Sequence, residues 1–206
     1  MPTLEALDLA ARRGQARLFA GLAFGIDAGE AMIVTGANGT GKTTLLKIIA
    51  GLTAASAGEV RWEGIAVAPF DPTLRRATTY NGHEAALKEG LTAAENLASL
   101  LDLGGERATV DEIDAALDAV ALSAQRKLPA RVLSQGQRRR IGLARLRLSR
   151  RPLWVLDEPT TALDASGTAM LGEVLRAHLD AGGLAVAATH SAIDVSPSRV
   201  RPLALD

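Results

Sequence analysis

The chain has 206 residues, of which 48% are hydrophobic, 22% charged and 3% aromatic, as expected of one globular domain with an aliphatic core. Lys plus Arg and Asp plus Glu both number 23, so there is no overall basic charge to gather nucleic acid or anionic lipid. The absence of cysteine excludes disulfides and thiolate metal sites, and no apolar stretch is long enough to predict a membrane-spanning helix.

The first third of the chain predicts strands followed by a turn and a helix. Residues 4–24 alternate loosely between apolar and polar side chains and predict short antiparallel strands. Residues 31–35 are an apolar run that predicts a buried strand, and a helix is expected to begin near Gly41. Residues 51–64 are rich in turn-forming residues and predict a loop.

Helical periodicity characterises the middle segment, roughly residues 84–150. Three capping-box patterns predict helix N-termini within it: Thr92 with Glu95, Thr109 with Glu112, and Ser134 with Gln137. After residue 151, strand and helix alternate again. Residues 153–157 and 184–189 predict strands, and Asp164 can cap the helix between them.

These elements predict an α/β fold with a mostly parallel sheet, N-terminal antiparallel strands and an inserted helical subdomain. We expect a single domain over residues 1–206. Its α/β core would comprise residues 1–83 and 151–206, and its helical subdomain residues 84–150.

A complete phosphate-binding loop follows the strand at residues 31–35. It has the form Gly-x4-Gly-Lys-Thr and consists of Gly36, Ala37, Asn38, Gly39, Thr40, Gly41, Lys42 and Thr43, with Thr44 next to it. Glycines let successive backbone N–H groups turn toward phosphate oxygens, and the helix N-terminus adds partial positive charge. We expect Lys42 to reach the β- and γ-phosphates and the Thr43 hydroxyl to bind Mg²⁺.

Two adjacent acids, Asp157 and Glu158, stand at the carboxyl end of the strand at 153–157, where open α/β sheets bind their ligands. Because neighbouring strand residues point to opposite sides, the two carboxylates are expected to have different roles. Asp157 suits the binding of Mg²⁺ through a water molecule. Glu158 is then free to accept a proton from, or to orient, an attacking water.

Residues 133–137 read Leu-Ser-Gln-Gly-Gln and resemble the signature sequence of ATP-binding cassette (ABC) ATPases, with Gln135 where the typical form has glycine. Two further ABC elements follow in register. Residues 161–164 resemble the D-loop, and His190 resembles the switch histidine. Taken alone, residues 133–137 also fit an ordinary helix cap. A small-molecule kinase with the same phosphate loop would leave this segment and His190 unexplained.

The resemblance covers about residues 4–195 and implies a head-to-tail dimer with two ATP molecules at the interface, together with Mg²⁺. Each ATP would contact the phosphate loop of one chain and the signature residues of the other, which are Ser134, Gln135, Gly136 and Gln137. It also implies that Asp164 lies near the nucleotide and that His190 contacts the γ-phosphate. Catalysis is assigned to Glu158, His190 and Lys42.

Two positions depart from the usual ABC pattern. Eight residues before the Leu-Thr-Ala-Ala-Glu-Asn stretch at 91–96, where most ABC ATPases have glutamine, this chain has His83. Imidazole is a poor ligand for Mg²⁺, so we expect His83 to act through water or a γ-phosphate hydrogen bond, with direct metal binding as the alternative. In the family an aromatic residue stacks on adenine about 23 residues before Gly36; here that position is Arg13, whose guanidinium plane can stack instead.

The segment around His83 is similar to one subfamily in particular, the ATPase subunits of bacterial cytochrome c maturation (Ccm) haem exporters. Gly-His, followed by Leu-Lys-x-x-Leu-Thr-Ala-x-Glu-Asn-Leu, carries most of that similarity. The resemblance implies a peripheral protein at the cytoplasmic face of the bacterial inner membrane, bound to integral-membrane permease subunits of the Ccm complex. No direct haem binding and no nucleic-acid binding are expected.

Other interpretations stay open at this point. The chain also fits the ATPase of another ABC exporter or a soluble ABC ATPase of the iron–sulfur assembly type. Seven arginines lie between residues 138 and 151 and resemble a nucleic-acid patch. Because apolar residues among them mark a buried stripe, we expect most of these arginines to form a solvated helix face.

Overall fold

The computed structural model describes residues 3–205, which form two β-sheets and six α-helices. In chain order the strands are β1 (Thr3–Arg13), β2 (Ala16–Asp27), β3 (Ala31–Gly36), β4 (Ala57–Trp62), β5 (Ile65–Val67), β6 (Thr78–Asn81), β7 (Leu153–Asp157), β8 (Leu184–Ala188) and β9 (Val200–Leu205). The helices are α1 (Lys42–Ile49), α2 (Pro72–Ala77), α3 (Ala93–Gly104), α4 (Val110–Ala119), α5 (Gln135–Leu148) and α6 (Ala165–Asp180).

The N-terminal strands belong to a four-stranded antiparallel sheet with the order β2-β1-β4-β5. The predicted antiparallel strands are therefore confirmed, and they are long rather than short. The loop predicted for residues 51–64 is wrong over 57–62, which form β4. There Val60 and Trp62 are buried, and they give this strand an apolar side that packs into the core.

The second sheet has the order β6-β7-β8-β3-β9, and every neighbouring pair in it is parallel. Alternate residues of β7 enter two different apolar clusters, Leu153 and Val155 on one face and Trp154 and Leu156 on the other. Helix α1 covers the first face and α6 the second. Burial on both faces explains why β7 and β8 read as continuous apolar runs.

Helices α3, α4 and α5 lie between β6 and β7 in the chain and begin at the three predicted capping boxes, each of which is formed on both sides. The predicted helical segment is thus confirmed within 93–148, as is the α/β fold class. Among residues 3–205, every helix is too short or too polar to span a bilayer.

Besides β4, four strands and helices were not predicted from the sequence: β5, α2, β6 and β9. Two of them shape the site described below. Strand β6 runs parallel to β7, and its end brings residues 80–83 beside the two acids. Strand β9 pairs with β3 up to Gly36 and lies at the edge of the sheet. An edge strand tolerates the proline at 202, because one side of the strand has no neighbour that needs a backbone N–H.

Candidate functional site

The phosphate loop connects β3 to α1, and its glycines have backbone angles that other residues rarely adopt. Gly41 caps α1 with φ of 106°, and as a glycine it supplies no side-chain acceptor to the first N–H groups of the helix. Gly36 has φ of 146°, and a Cβ there would lie 2.3 Å from the carbonyl oxygen of Leu205 in β9. The free N–H groups at the start of α1 are therefore available to a phosphate.

Lys42 is only 8% exposed, and its ammonium is held at the loop. Its Nζ donates hydrogen bonds to the carbonyls of Gly36, at 2.7 Å, and of Ala37, at 3.0 Å. These contacts hold the Lys42 ammonium against the loop backbone. An anion bound by the N–H groups at the start of α1 would therefore lie close to this positive charge.

Asp157 is 2% exposed and points toward the start of α1. The Thr43 hydroxyl donates to its Oδ1 at 3.3 Å, while Oδ2 is buried and has no hydrogen-bond partner among residues 3–205. A buried carboxylate oxygen without a donor suits Mg²⁺, because this ion prefers oxygen ligands. When a phosphate is also bound, Mg²⁺ needs only one or two protein carboxylates. No cluster of three or more acidic or histidine side chains able to hold a metal occurs within the described chain.

Glu158 has a different environment from its neighbour Asp157. Its side chain is 19% exposed, and Oε1 lies 3.4 Å from Nε2 of His190. Its φ of 49° places a non-glycine residue in the left-handed region, and its N–H donates to the Ala188 carbonyl at 2.9 Å. Strain of this kind costs about 1–3 kcal/mol and is typical of functional sites.

These groups meet in one cavity of about 310 Å³ beside the phosphate loop. Its lining includes the predicted site residues Arg13, Asn38, Gly39, Gly41, Lys42, Thr43, Thr44, His83, Asp157 and Glu158. Arg13 ends β1 and is exposed, as is His83, so both side chains can move toward a bound molecule. The remaining residues of the loop, Gly36, Ala37 and Thr40, do not line this cavity.

The signature residues lie elsewhere. Ser134 accepts from the Gln137 N–H at 3.2 Å and, in return, the Gln137 side chain accepts from the Ser134 N–H at 2.9 Å. Ser134, Gly136 and Gln137 line a separate cavity of about 460 Å³ that shares no residue with the one at the phosphate loop. Gln135 lines a third cavity, together with His83. Within residues 3–205 the signature residues therefore do not line the phosphate-loop cavity, although the cavity of Gln135 shares His83 with it.

Asp164 is exposed but already has partners. Its Oδ1 accepts from the Gly167 N–H at 2.8 Å, which makes it the N-cap of α6 as predicted. Arg140 donates to both oxygens of the same carboxylate, at 2.9 and 3.1 Å. The backbone N–H and Arg140 both lower the pKa of Asp164. The carboxylate thus links the helical segment to residues 161–164.

The expectation that most arginines in 138–151 form a solvated face is wrong. Only Arg147 and Arg150 of the seven are exposed. The side chains of Arg138, Arg139, Arg140, Arg145 and Arg151 donate to backbone carbonyls. Carbonyls at strand and helix ends need donors, and a long side chain with five N–H groups supplies several at once.

Tyr80 lies beside Asp157 and was not predicted as a site residue. It is the third of the four residues of strand β6, which was not predicted, and it pairs with Val155, two residues before Asp157. Burial first, and then the negative charge of Asp157, raise the pKa of Tyr80 to about 12. The phenol therefore stays neutral beside the acid.

The sequence of this chain is similar to known proteins over most of its length. The family model described as ABC transporter matches residues 19–161. The chain is 47% identical to the cytochrome c biogenesis ATP-binding export protein CcmA 1 of Cupriavidus metallidurans, over 96% of each chain. It is also 47% identical to the protein of the same description, CcmA, from Pseudomonas aeruginosa, over 95% of this chain and 97% of that one.

Solved structures share the fold. One is described as an ABC transporter ATP-binding protein from Pyrococcus furiosus, with a TM-score of 0.85 at 24% identity, over 98% of this chain and 97% of the other. Another is an ATP-binding cassette solved as a dimer in a post-hydrolysis state with ADP and Pi. It has a TM-score of 0.77 at 24% identity, over 91% of this chain and 88% of the other.

Proposed function

Since the chain belongs to the ABC transporter family, and within it to the cytochrome c biogenesis ATP-binding export proteins, we propose that it hydrolyses ATP to drive an export step in cytochrome c biogenesis. One observation carries the enzymatic part of the proposal. Lys42, the Thr43–Asp157 pair and Glu158 line a single cavity, although more than a hundred residues separate the loop from the acids.

In this proposal the loop binds the phosphates of ATP. The N–H groups at the start of α1 and the ammonium of Lys42 bind the β- and γ-phosphates, because both present positive charge at the same loop. Arg13 lies at the rim of the cavity and stacks on the adenine ring. Such contacts need no rearrangement of the core, since the loop is fixed between two strands and a helix.

Thr43 would bind Mg²⁺ directly and Asp157 would bind it through a water molecule; the unpartnered Oδ2 of Asp157 supports this assignment. When bound, the ion neutralises charge on the β- and γ-phosphate oxygens. His83 lies at the cavity as an exposed imidazole and donates to a γ-phosphate oxygen or to a water molecule rather than binding the metal.

Glu158 accepts a proton from, or orients, the attacking water, and His190 contacts the γ-phosphate. The 3.4 Å between His190 Nε2 and Glu158 Oε1 supports a shared role, because the imidazole can hold the carboxylate in place; His190 itself is half exposed and does not line the phosphate-loop cavity. Adjacent Asp157 keeps its own partner, Thr43, so the two acids do not compete for one position.

A second copy of the chain completes each site. The separation of the signature cavity from the phosphate-loop cavity supports this, since Ser134 and Gly136 must meet a nucleotide held by another chain. The N-terminus of α5, a 14-residue helix, presents the Ser134 hydroxyl and the Gly136 N–H there. We assign residues 84–150 as the helical subdomain that carries the signature, and residues 1–83 and 151–206 as the α/β core.

The biological output is haem export for c-type cytochromes. The names of the relatives support the process, and the resemblance around His83 supports haem as the cargo. The protein then acts as a peripheral subunit at the cytoplasmic face of the inner membrane, bound to integral-membrane permease subunits of the Ccm complex.

The catalytic assignment is tested by Glu158→Gln in the full chain. General-base catalysis contributes about 10²–10⁴-fold, so steady-state ATPase activity should fall by that factor while ATP-dependent dimerisation persists. Glu173→Gln on the exposed side of α6 is the matched control and should keep the wild-type rate. A Glu158→Gln rate within twofold of wild type would exclude Glu158 as the base.

The process is tested in cells by deleting the gene and staining covalent haem in c-type cytochromes. Loss of covalent haem, restored by the wild-type gene and not by Glu158→Gln, is the expected result. Normal covalent haem in the deletion strain would exclude a role in cytochrome c biogenesis. Purification in detergent with a polytopic subunit would separate this function from a soluble iron–sulfur assembly ATPase.

A further inference from the structure

Arg139 stands one turn into α5 and is 7% exposed, which is unusual for an arginine. Its guanidinium donates to three backbone carbonyls in different parts of the chain. The distances are 2.9 Å from Nη1 to Gly82, 3.1 Å from Nη2 to Glu158 and 3.3 Å from Nε to Thr161. Each of the three guanidinium nitrogens therefore donates to a backbone carbonyl, and among residues 3–205 Arg139 forms no ion pair.

Each of the three carbonyls belongs to a segment with a part in the proposed site. Gly82 immediately precedes His83, which lines the phosphate-loop cavity. Glu158 lies in the left-handed region at φ of 49°, so its carbonyl direction depends on outside support. Thr161 begins the turn that leads through Ala162 to the cavity of the signature residues.

Burial disfavours the charged form of Arg139, while the nearby charges of Asp157 and Glu158 favour it. The cation is thus held in place by two influences, the three carbonyls and the two acids beside them. A buried guanidinium with all of these partners fixes the relative position of the elements that supply them.

We propose that Arg139 is a positioning residue that couples the signature helix of a chain to the nucleotide-contacting segments of the same chain. This inference rests on the proposed function, in which the signature of one chain meets the ATP of its partner. Helix α5 then responds to the partner's nucleotide, and Arg139 transmits its position to His83 and Glu158 at the chain's own nucleotide. The two sites of the dimer are linked through this one side chain in each copy.

The test compares Arg139→Lys and Arg139→Gln with Arg147→Lys and Arg147→Gln, in the complete complex in membrane vesicles. Arg147 lies on the same helix with an exposed side chain, so its variants control for loss of charge on α5. Lysine keeps the charge but presents no planar fork, so it cannot serve three divergent carbonyls.

The Arg139→Lys variant should lower kcat for ATP at least tenfold, leave KM within about threefold, and reduce the Hill coefficient for ATP toward one. Binding of a fluorescent ATP analogue to the purified full chain should stay within twofold, since the phosphate loop is untouched. Both Arg147 variants should match wild type in every measurement.

Two results would overturn the inference. One is a folded Arg139→Lys variant with kcat within twofold of wild type and an unchanged Hill coefficient for ATP. The other is a loss of kcat that only follows the folded fraction measured by thermal unfolding, or failure of both Arg139 variants to fold, which would make the residue structural. An inactive or non-cooperative wild-type complex would instead refute the proposed function itself, and the inference with it.

Discussion

Replacing Gly36 by alanine is the most discriminating test of how the phosphate loop is built. The added Cβ would lie 2.3 Å from the Leu205 carbonyl oxygen, closer than such atoms approach in proteins, and φ of 146° is itself unfavourable for alanine. Gly39 is the matched control. It also has a positive φ, of 91°, but a Cβ there would meet no atom within 4 Å.

The conformational cost is about 1–3 kcal/mol at either position. At Gly36 the end of β9 must also move away from β3, and each backbone hydrogen bond lost there costs about 1 kcal/mol. Partial exposure of Leu205, which is 3% exposed, adds up to about 2 kcal/mol. The excess for Gly36→Ala over Gly39→Ala is thus about 2–4 kcal/mol.

Reversible urea unfolding of both full-length variants measures this difference in the free energy of unfolding, and thermal unfolding measures the difference in melting temperature. At about 2–4 °C per kcal/mol for a chain of this size, the melting temperature of Gly36→Ala should lie roughly 4–16 °C below that of Gly39→Ala. Equal free energies of unfolding, within about 0.5 kcal/mol, would refute the argument that β9 fixes the loop through Gly36.

Two further predictions concern titration. His178 stacks on Trp154 at 3.7 Å, and burial lowers its pKa below the ordinary 6.5. In the unfolded chain His178 therefore binds a proton at a higher pH than in the folded chain. The free energy of unfolding should fall as the pH drops below about 6.5. Urea unfolding between pH 7 and 5 should show a shallower fall in the free energy of unfolding for His178→Gln than for wild type. An equal slope of free energy against pH in the two proteins would contradict this. Tyr80 is the only tyrosine, so absorbance near 295 nm reports it alone; the folded protein should titrate near 12, and ionisation near 10 would contradict its burial beside Asp157.

The features predicted correctly from sequence depend on short stretches of chain. The capping boxes at Thr92, Thr109 and Ser134 involve residues three apart, so the letters alone specify them. The phosphate loop is likewise a local pattern between a strand and a helix. The acids at 157 and 158 could be placed because the carboxyl ends of parallel strands share one edge.

The errors arose where distant segments decide the outcome. Strand β4 was predicted as a loop because its segment is rich in turn-forming residues, whereas its strand conformation depends on pairing with β1 and β5. The arginines after the signature were predicted to be solvated because their acceptors are carbonyls up to 76 residues away. No periodicity within α5 distinguishes Arg139, which is buried, from Arg147, which is exposed.

By itself the sequence determined that this protein binds nucleotide phosphates and resembles an ABC ATPase, because those motifs are contiguous and their chemistry is local. Only the tertiary structure decided which groups meet. It set Asp157 against Thr43, 114 residues apart, kept the signature away from the chain's own loop, and gave Arg139 its three acceptors. The reason is physical: strand order and helix docking bring distant carbonyls and carboxylates together, and no local pattern encodes that order.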